Sequence, residues 1–108
     1  MGDGRQIINE TYKIIKEVSE ELERQKDNRF EDLKKDVGVC LKWVQKCQNK
    51  VWLRSKEGTD LAQGCKDEAE ELRKHLTDAS VACEAALNLS MQLESLAKII
   101  ASKATVLT

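Results

Sequence analysis

The sequence predicts an all-α antiparallel four-helix bundle, and three observations carry that expectation. The 108 residues contain no Pro, only two Trp, one Tyr and one Phe, and many Ala, Leu, Glu and Lys, a composition of strong helix formers. Apolar residues recur in steps of three and four, the spacing of one helix face. The four cysteines fall on those stripes, at heights that match if the helices stack as hairpins.

The first helix is expected over about 5–27. Ile7, Thr11, Ile14, Val18 and Leu22 form its stripe, with Ile8 and Ile15 beside it. Asp27-Asn28 offers a turn, and Asn28 with Glu31 reads as a capping box for the next helix. That second helix is expected over about 29–54. Phe30, Leu33, Val37, Cys40, Val44, Cys47 and Val51 make an unbroken heptad seam, with Gly38 a weak point inside it. Ser55-Lys56-Glu57-Gly58 reads as a loop, and Thr59 or Asp60 as the next cap.

Beyond Asp60 the stripe runs through Leu61, Cys65, Ala69, Leu72 and Leu76. It continues through Ala79, Cys83, Ala86, Leu93, Ala97 and Ile100. One helix over this whole stretch would be ~65 Å long and would leave much of its stripe uncovered. A break capped by Thr77 or Asp78 gives helices over about 60–76 and 78–106, which pack compactly. Residues 1–108 then form one helical domain.

Cys40 and Cys47 stand seven residues apart on one helix, ~10.5 Å along its axis, too far to bridge. In an antiparallel hairpin turning near residue 56, Cys47 is level with Cys65. A second hairpin turning at Thr77-Asp78 makes Cys40 level with Cys83. Two bridges, Cys47–Cys65 and Cys40–Cys83, are therefore expected, with four buried free thiols as the alternative.

Composition bounds the function. A net charge of −1 gives no reason to expect nucleic acid. No run reaches the ~20 apolar residues of a membrane span. His75 is the sole histidine and reads as a surface residue, so no Cys–His nucleophile is indicated. The cysteine gaps do not suit zinc knuckles, and no Gly-rich phosphate cradle occurs. Catalysis, metal and cofactor are thus not expected. The sequons at Asn9 and Asn88 lie in expected helices and read as chance.

Charge is segregated. Residues 28–58 carry eight Lys/Arg against four Asp/Glu, and residues 59–78 carry three against six. Lys42, Lys46, Lys50 and Arg54 follow one another at i, i+4 spacing. They either pair with an acidic third helix alongside or form a recognition stripe for an acidic protein. Trp43 and Trp52 flank the seam. With Lys46, Lys50, Arg54 and Lys56 they form the most interface-like cluster, unless the two Trp only fill gaps between helices.

The start, Met1 to Arg5, lacks the apolar core of a secretory leader. This suits either a cytosolic protein or a mature secreted chain. The seams carrying Cys40, Cys47, Cys65 and Cys83 give the whole chain a form that resembles the anopheline mosquito salivary inhibitors of the albicin and anophensin type. That resemblance implies a secreted salivary protein that blocks a host plasma protease cascade by binding. The implied partners are host plasma proteins, most specifically the alternative-pathway C3 convertase of C3b and factor Bb, and a homodimer is compatible with it. The alternative is an intracellular helical-bundle adaptor with free thiols.

Overall fold

The computed structural model describes residues 3–77 and 83–103, apart from the side chains of Thr77 and Cys83. Four helices account for most of it: α1 (Gly4–Glu23), α2 (Glu31–Cys47), α3 (Lys56–Thr77) and α4 (Cys83–Ala101). Single 3₁₀ turns at Asn28–Phe30 and Val51–Arg54 precede α2 and α3. No strand occurs among the described residues.

The starts of α1, of the 3₁₀ turn before α2 and of α3 are each set by a short polar side chain that accepts from a free backbone N–H. Asp3 caps α1, its Oδ1 accepting from Arg5 N at 2.9 Å. The capping box expected at Asn28 is displaced by one residue: Asp27 accepts from Arg29 N at 2.9 Å and opens the 3₁₀ turn. At α3 the cap is Ser55, whose Oγ accepts from Gly58 N at 3.0 Å. The stretch expected to be a loop through Gly58, capped by Thr59 or Asp60, is therefore already helix.

The seams go inside as the periodicity requires. Ile8, Ile15, Val18 and Leu22 of α1 pack with Leu33, Val37, Cys40, Val44 and Cys47 of α2. Ala62, Cys65, Ala69 and Leu72 of α3 meet Ala86, Leu93, Ala97 and Ile100 of α4 in the same core. Thr11 is also fully buried. It satisfies its hydroxyl by donating to Ile7 O at 2.9 Å, so it costs the core little.

The order of helices around the bundle departs from the expected one. α1 packs against α3 and α2, and α4 packs against α2 and α3, which leaves α2 and α3 on a diagonal. The registers agree. Lys66 meets Glu10 at 2.8 Å and Arg73 meets Glu17 at 3.3 Å, a constant offset of 56 residues between parallel neighbours. Cys40 meets Ser90 and Cys47 meets Ala97, a constant offset of 50 between α2 and α4.

The link from α2 to α3 must therefore cross one end of the bundle. The heptad pattern predicts helix through Arg54, but α2 stops at Cys47. Asn49 takes a left-handed conformation, φ 67°, which Asn tolerates better than most residues. The chain then turns inward and buries Leu53 completely. Glycines admit it on both sides. A Cβ on Gly4 would collide with Leu53 O, and one on Gly58 with Trp52 O.

This geometry overturns the expected staples. Cys40, Cys47 and Cys65 are free, buried thiols. The Cys47–Cys65 match assumed that α2 and α3 lie side by side, and they do not. The Cys47 thiol donates to Ala97 O at 3.1 Å, and the Cys40 thiol to Ser90 O at 2.9 Å, both on α4. Cys40 is thus not bridged to Cys83, whose own side chain lies outside the described residues. So does the expected cap at Asp78, while α4 ends at Ala101, short of the expected 106.

Two outcomes follow. Gly58→Ala should destabilise the fold by ~1–3 kcal/mol through overpacking. Gly38→Ala, where nothing lies within 4 Å of the added methyl, should stabilise it by ~0.5–1 kcal/mol. Urea titration of both variants checks the contrast. Iodoacetamide should leave Cys40, Cys47 and Cys65 unmodified in native protein and label them in urea. Rapid native labelling, or thiols that appear only after reduction, would contradict the burial and the free state respectively.

Candidate functional site

Among the described residues, the outer face shared by α2 and α4 gathers cations around aromatic rings. Trp43 stands half-buried on α2. The Lys46 ammonium lies 4.5 Å from its ring centroid, and the Lys98 ammonium, from α4, lies 5.5 Å away. Both fall within cation–π reach. Further along, Lys103 places its ammonium 4.8 Å from the Trp52 ring. Lys42 adds another exposed cation on the solvent side of α2. The α2–α4 offset of 50 explains the convergence, since Lys46 and Lys98 then fall at nearly the same height.

The expected patch is thereby partly assembled and partly dispersed. Trp43 and Lys46 belong to one cluster. Trp52 belongs to a second, at the bundle end. Lys50 is only 7% exposed and points its ammonium at Lys103 O, 3.5 Å away, so it supports the end rather than presenting charge. Arg54 turns toward Asp3, with Nε 4.0 Å from Oδ2. Arg5 also bonds Asp3 and is the main reason its carboxyl sits below the usual range. Lys56 is exposed at the start of α3. The acidic face of α3 is not the partner of the α2 cations, because the two helices are diagonal. Lys98 and Lys103 escaped the sequence reading, which had no register for α2 against α4. The only local signal was the Glu94–Lys98 spacing of four.

Below Trp43 lies a polar cluster that the sequence did not announce. Ser90 is fully buried on α4, and its hydroxyl donates to Asp36 Oδ2 at 2.7 Å. The Cys40 sulfur sits 3.2 Å from the same hydroxyl. Asp36 is pushed up from the ordinary carboxyl value, first by burial and then by Glu94 beside it. Glu94 is held down, first by the hydrogen bond from Asp36 and then by Lys98, 3.0 Å away. Of the two, Asp36 is therefore the first to take up a proton as pH falls. Ligand atoms of Asp36, Cys40 and Glu94 lie within 4.8 Å of one another. A metal would have to displace the proton of the Cys40 thiol, which burial pushes up to about 12. The arrangement accordingly reads as a hydrogen-bonded cluster that joins α2 to α4.

The remaining chemistry is sparse. His75 Nδ1 lies 2.9 Å from Glu71 O in the preceding turn, an ordinary helix-end contact. No helix of the described residues is long and apolar enough to cross a membrane. Comparison with known proteins finds no matching family model, no matching curated protein and no matching solved structure.

The carboxyl pair makes a signed prediction. Asp36 has a raised folded-state pKa, so its stabilising contribution is present below about 4 and is lost as pH rises through the folded value. Asp36→Asn keeps an acceptor for Ser90 and a donor for Glu94 without the proton. Its melting temperature should exceed the wild type's by a few degrees near pH 7, with the gap closing toward pH 4. Thermal melts across pH 4–8 check this, and a gap independent of pH would contradict the raised Asp36 carboxyl.

Proposed function

We propose that this chain is a non-enzymatic binding module that engages an acidic protein surface through Trp43, Lys46, Lys42 and Lys98. The observation that carries the reading is the Trp43 ring with ammoniums from two helices over it. Trp and basic side chains that meet on a half-exposed, rigid helical face are the usual makings of an interaction hot spot. Clustered cations also speed encounter with an acidic partner.

The salivary-inhibitor reading, with a plasma-protease complex such as the C3 convertase as target, shares this mode of action. What set it apart was the pair of disulfides. The free thiols at Cys40, Cys47 and Cys65 instead favour the helical adaptor, working where thiols stay reduced. Within that reading the polar cluster at Asp36, Ser90 and Glu94 holds α2 and α4 at the spacing the patch needs.

Affinity capture with immobilised protein at low and moderate salt tests the proposal. An acidic partner should be retained by wild type and released by ~0.3 M salt, where screening is strong. Lys46→Glu with Lys98→Glu should lower retention ~10-fold or more, with helical content unchanged. Retention of the same partner by that double variant would contradict the site.

A further inference from the structure

Two charged rows stand on opposite corners of the bundle. The outer side of α2 carries Glu31, Lys35, Lys42 and Lys46, and the outer side of α3 carries Lys56, Asp60, Asp67 and Glu71, all exposed. Both rows advance by four, seven and four residues, so their charges stand ~6, ~10.5 and ~6 Å apart along the axis. The signs are opposite at every step. Glu31 corresponds to Lys56, Lys35 to Asp60, Lys42 to Asp67 and Lys46 to Glu71, each 25 residues on.

One molecule cannot join these rows to each other. α1 runs parallel to α3 and antiparallel to α2, as the Asn9–Gln48 and Gln25–Lys34 bonds show. α2 and α3 are therefore antiparallel, and they lie on a diagonal with their outer sides turned away from each other. Among the described residues, the three lysines of the α2 row and the three carboxylates of the α3 row form no ion pair. Between Lys35 and Lys42, a Cβ added to Gly38 would meet nothing within 4 Å, which leaves room for another helix to approach.

Resting on the reading that Lys42 and Lys46 engage an acidic protein surface, we infer that this surface is the α3 row of a second copy of the chain. The α2 of one copy lies parallel to the α3 of the next, and the four opposite charges are then level. No other parallel register, and no antiparallel one within α3, sets the three lysines level with three carboxylates. The flanking charges agree. Glu70 is level with Gln45, next to Lys46, and Lys74 is level with Asn49. Asp32 and Glu57 share a level, but each lies on the α4 side of its own helix, and such flanks fall on opposite sides of a parallel contact.

Because the two rows of one copy face opposite ways, a bound copy presents a free row on its far side. The contact is head-to-tail, and it grows a line of copies instead of closing as a dimer. Each copy is turned end for end relative to the last. Surface ion pairs are individually weak, so the line grows at high protein concentration and low salt.

The test is the weight-average mass of the full chain by light scattering, from ~0.05 to ~1 mM protein in ~20 mM salt. Wild type should pass the mass of a dimer and keep rising, and should return to monomer in ~0.3 M salt, where screening is strong. Lys42→Glu should raise the concentration needed for a given mass ~5-fold or more. Adding Asp67→Lys restores an opposite pair at that level and should recover association. Adding Asp60→Lys instead gives the same net charge but leaves two like pairs, and should not. The three positions are exposed, so helical content should be unchanged by circular dichroism. Equal recovery by both double variants, a plateau at the dimer, or a wild type that stays monomeric would each overturn the inference. Poly-L-glutamate separates that failure from failure of the binding-module reading. If monomeric wild type binds it and Lys46→Glu with Lys98→Glu does not, the acidic-surface reading stands without self-association. If neither binds it, both are overturned.

Discussion

The crossing of the α2–α3 link over one end of the bundle is the constraint on which the remaining structure depends. A link between sequential helices costs least when they are neighbours. Here eight residues instead traverse the diagonal, turned by Asn49 in a left-handed conformation and anchored by Leu53, which is fully buried. The passage is narrow. Gly4 and Gly58 bring the first turns of α1 and α3 against the carbonyls of Leu53 and Trp52, where no larger residue fits without movement. Ser55 secures the exit by donating to Trp52 O at 2.7 Å while accepting from Gly58 N. Thr59 adds a hydroxyl 3.0 Å from Leu53 O.

From that crossing follow both the pairing of helices and the distribution of charge. α3 lies beside α1, so Lys66 and Arg73 reach Glu10 and Glu17. These are surface pairs and contribute little stability individually. Their importance is that α1, rather than α2, supplies the partners of the α3 cations. Lys35, Lys42 and Lys46 of α2 are left to face solvent beside α4. The same adjacency brings Lys98 over Trp43 and Asp36 against Glu94. Had α2 and α3 been neighbours, the basic stripe would have been neutralised by the acidic third helix and no cationic face would exist.

Much of the fold was legible because it depends on local period. The buried sets of α1 and α2 are nearly those that the heptad spacing picks out, from Ile8 to Leu22 and from Leu33 to Cys47. What periodicity cannot encode is which seam faces which. Cys47 and Cys65 sit on the inner faces of their helices whether those are adjacent or diagonal, so height matching alone could not choose between a bridge and two thiols. The end of α2 was missed for a related reason. Val51 continues the heptad perfectly, and the break comes from the backbone of Gln48 to Lys50, extended at Gln48 and Lys50 and left-handed at Asn49. Trp43 and Lys46 were visible as a cluster on one helix. Lys98, Ser90 and Glu94, about fifty residues away in sequence, needed the tertiary register to join them.

Zero-length carbodiimide cross-linking of monomeric protein, with peptide mapping, tests the diagonal crossing most directly. The structure predicts a Glu10–Lys66 link, since those atoms lie 2.8 Å apart on the outer surface between adjacent α1 and α3. Helices on a diagonal could not form it, because the core would stand between their exposed edges. A missing Glu10–Lys66 product, together with intramolecular links from Lys42 or Lys46 to Asp67, Glu68 or Glu71, would place α2 beside α3 and contradict the account.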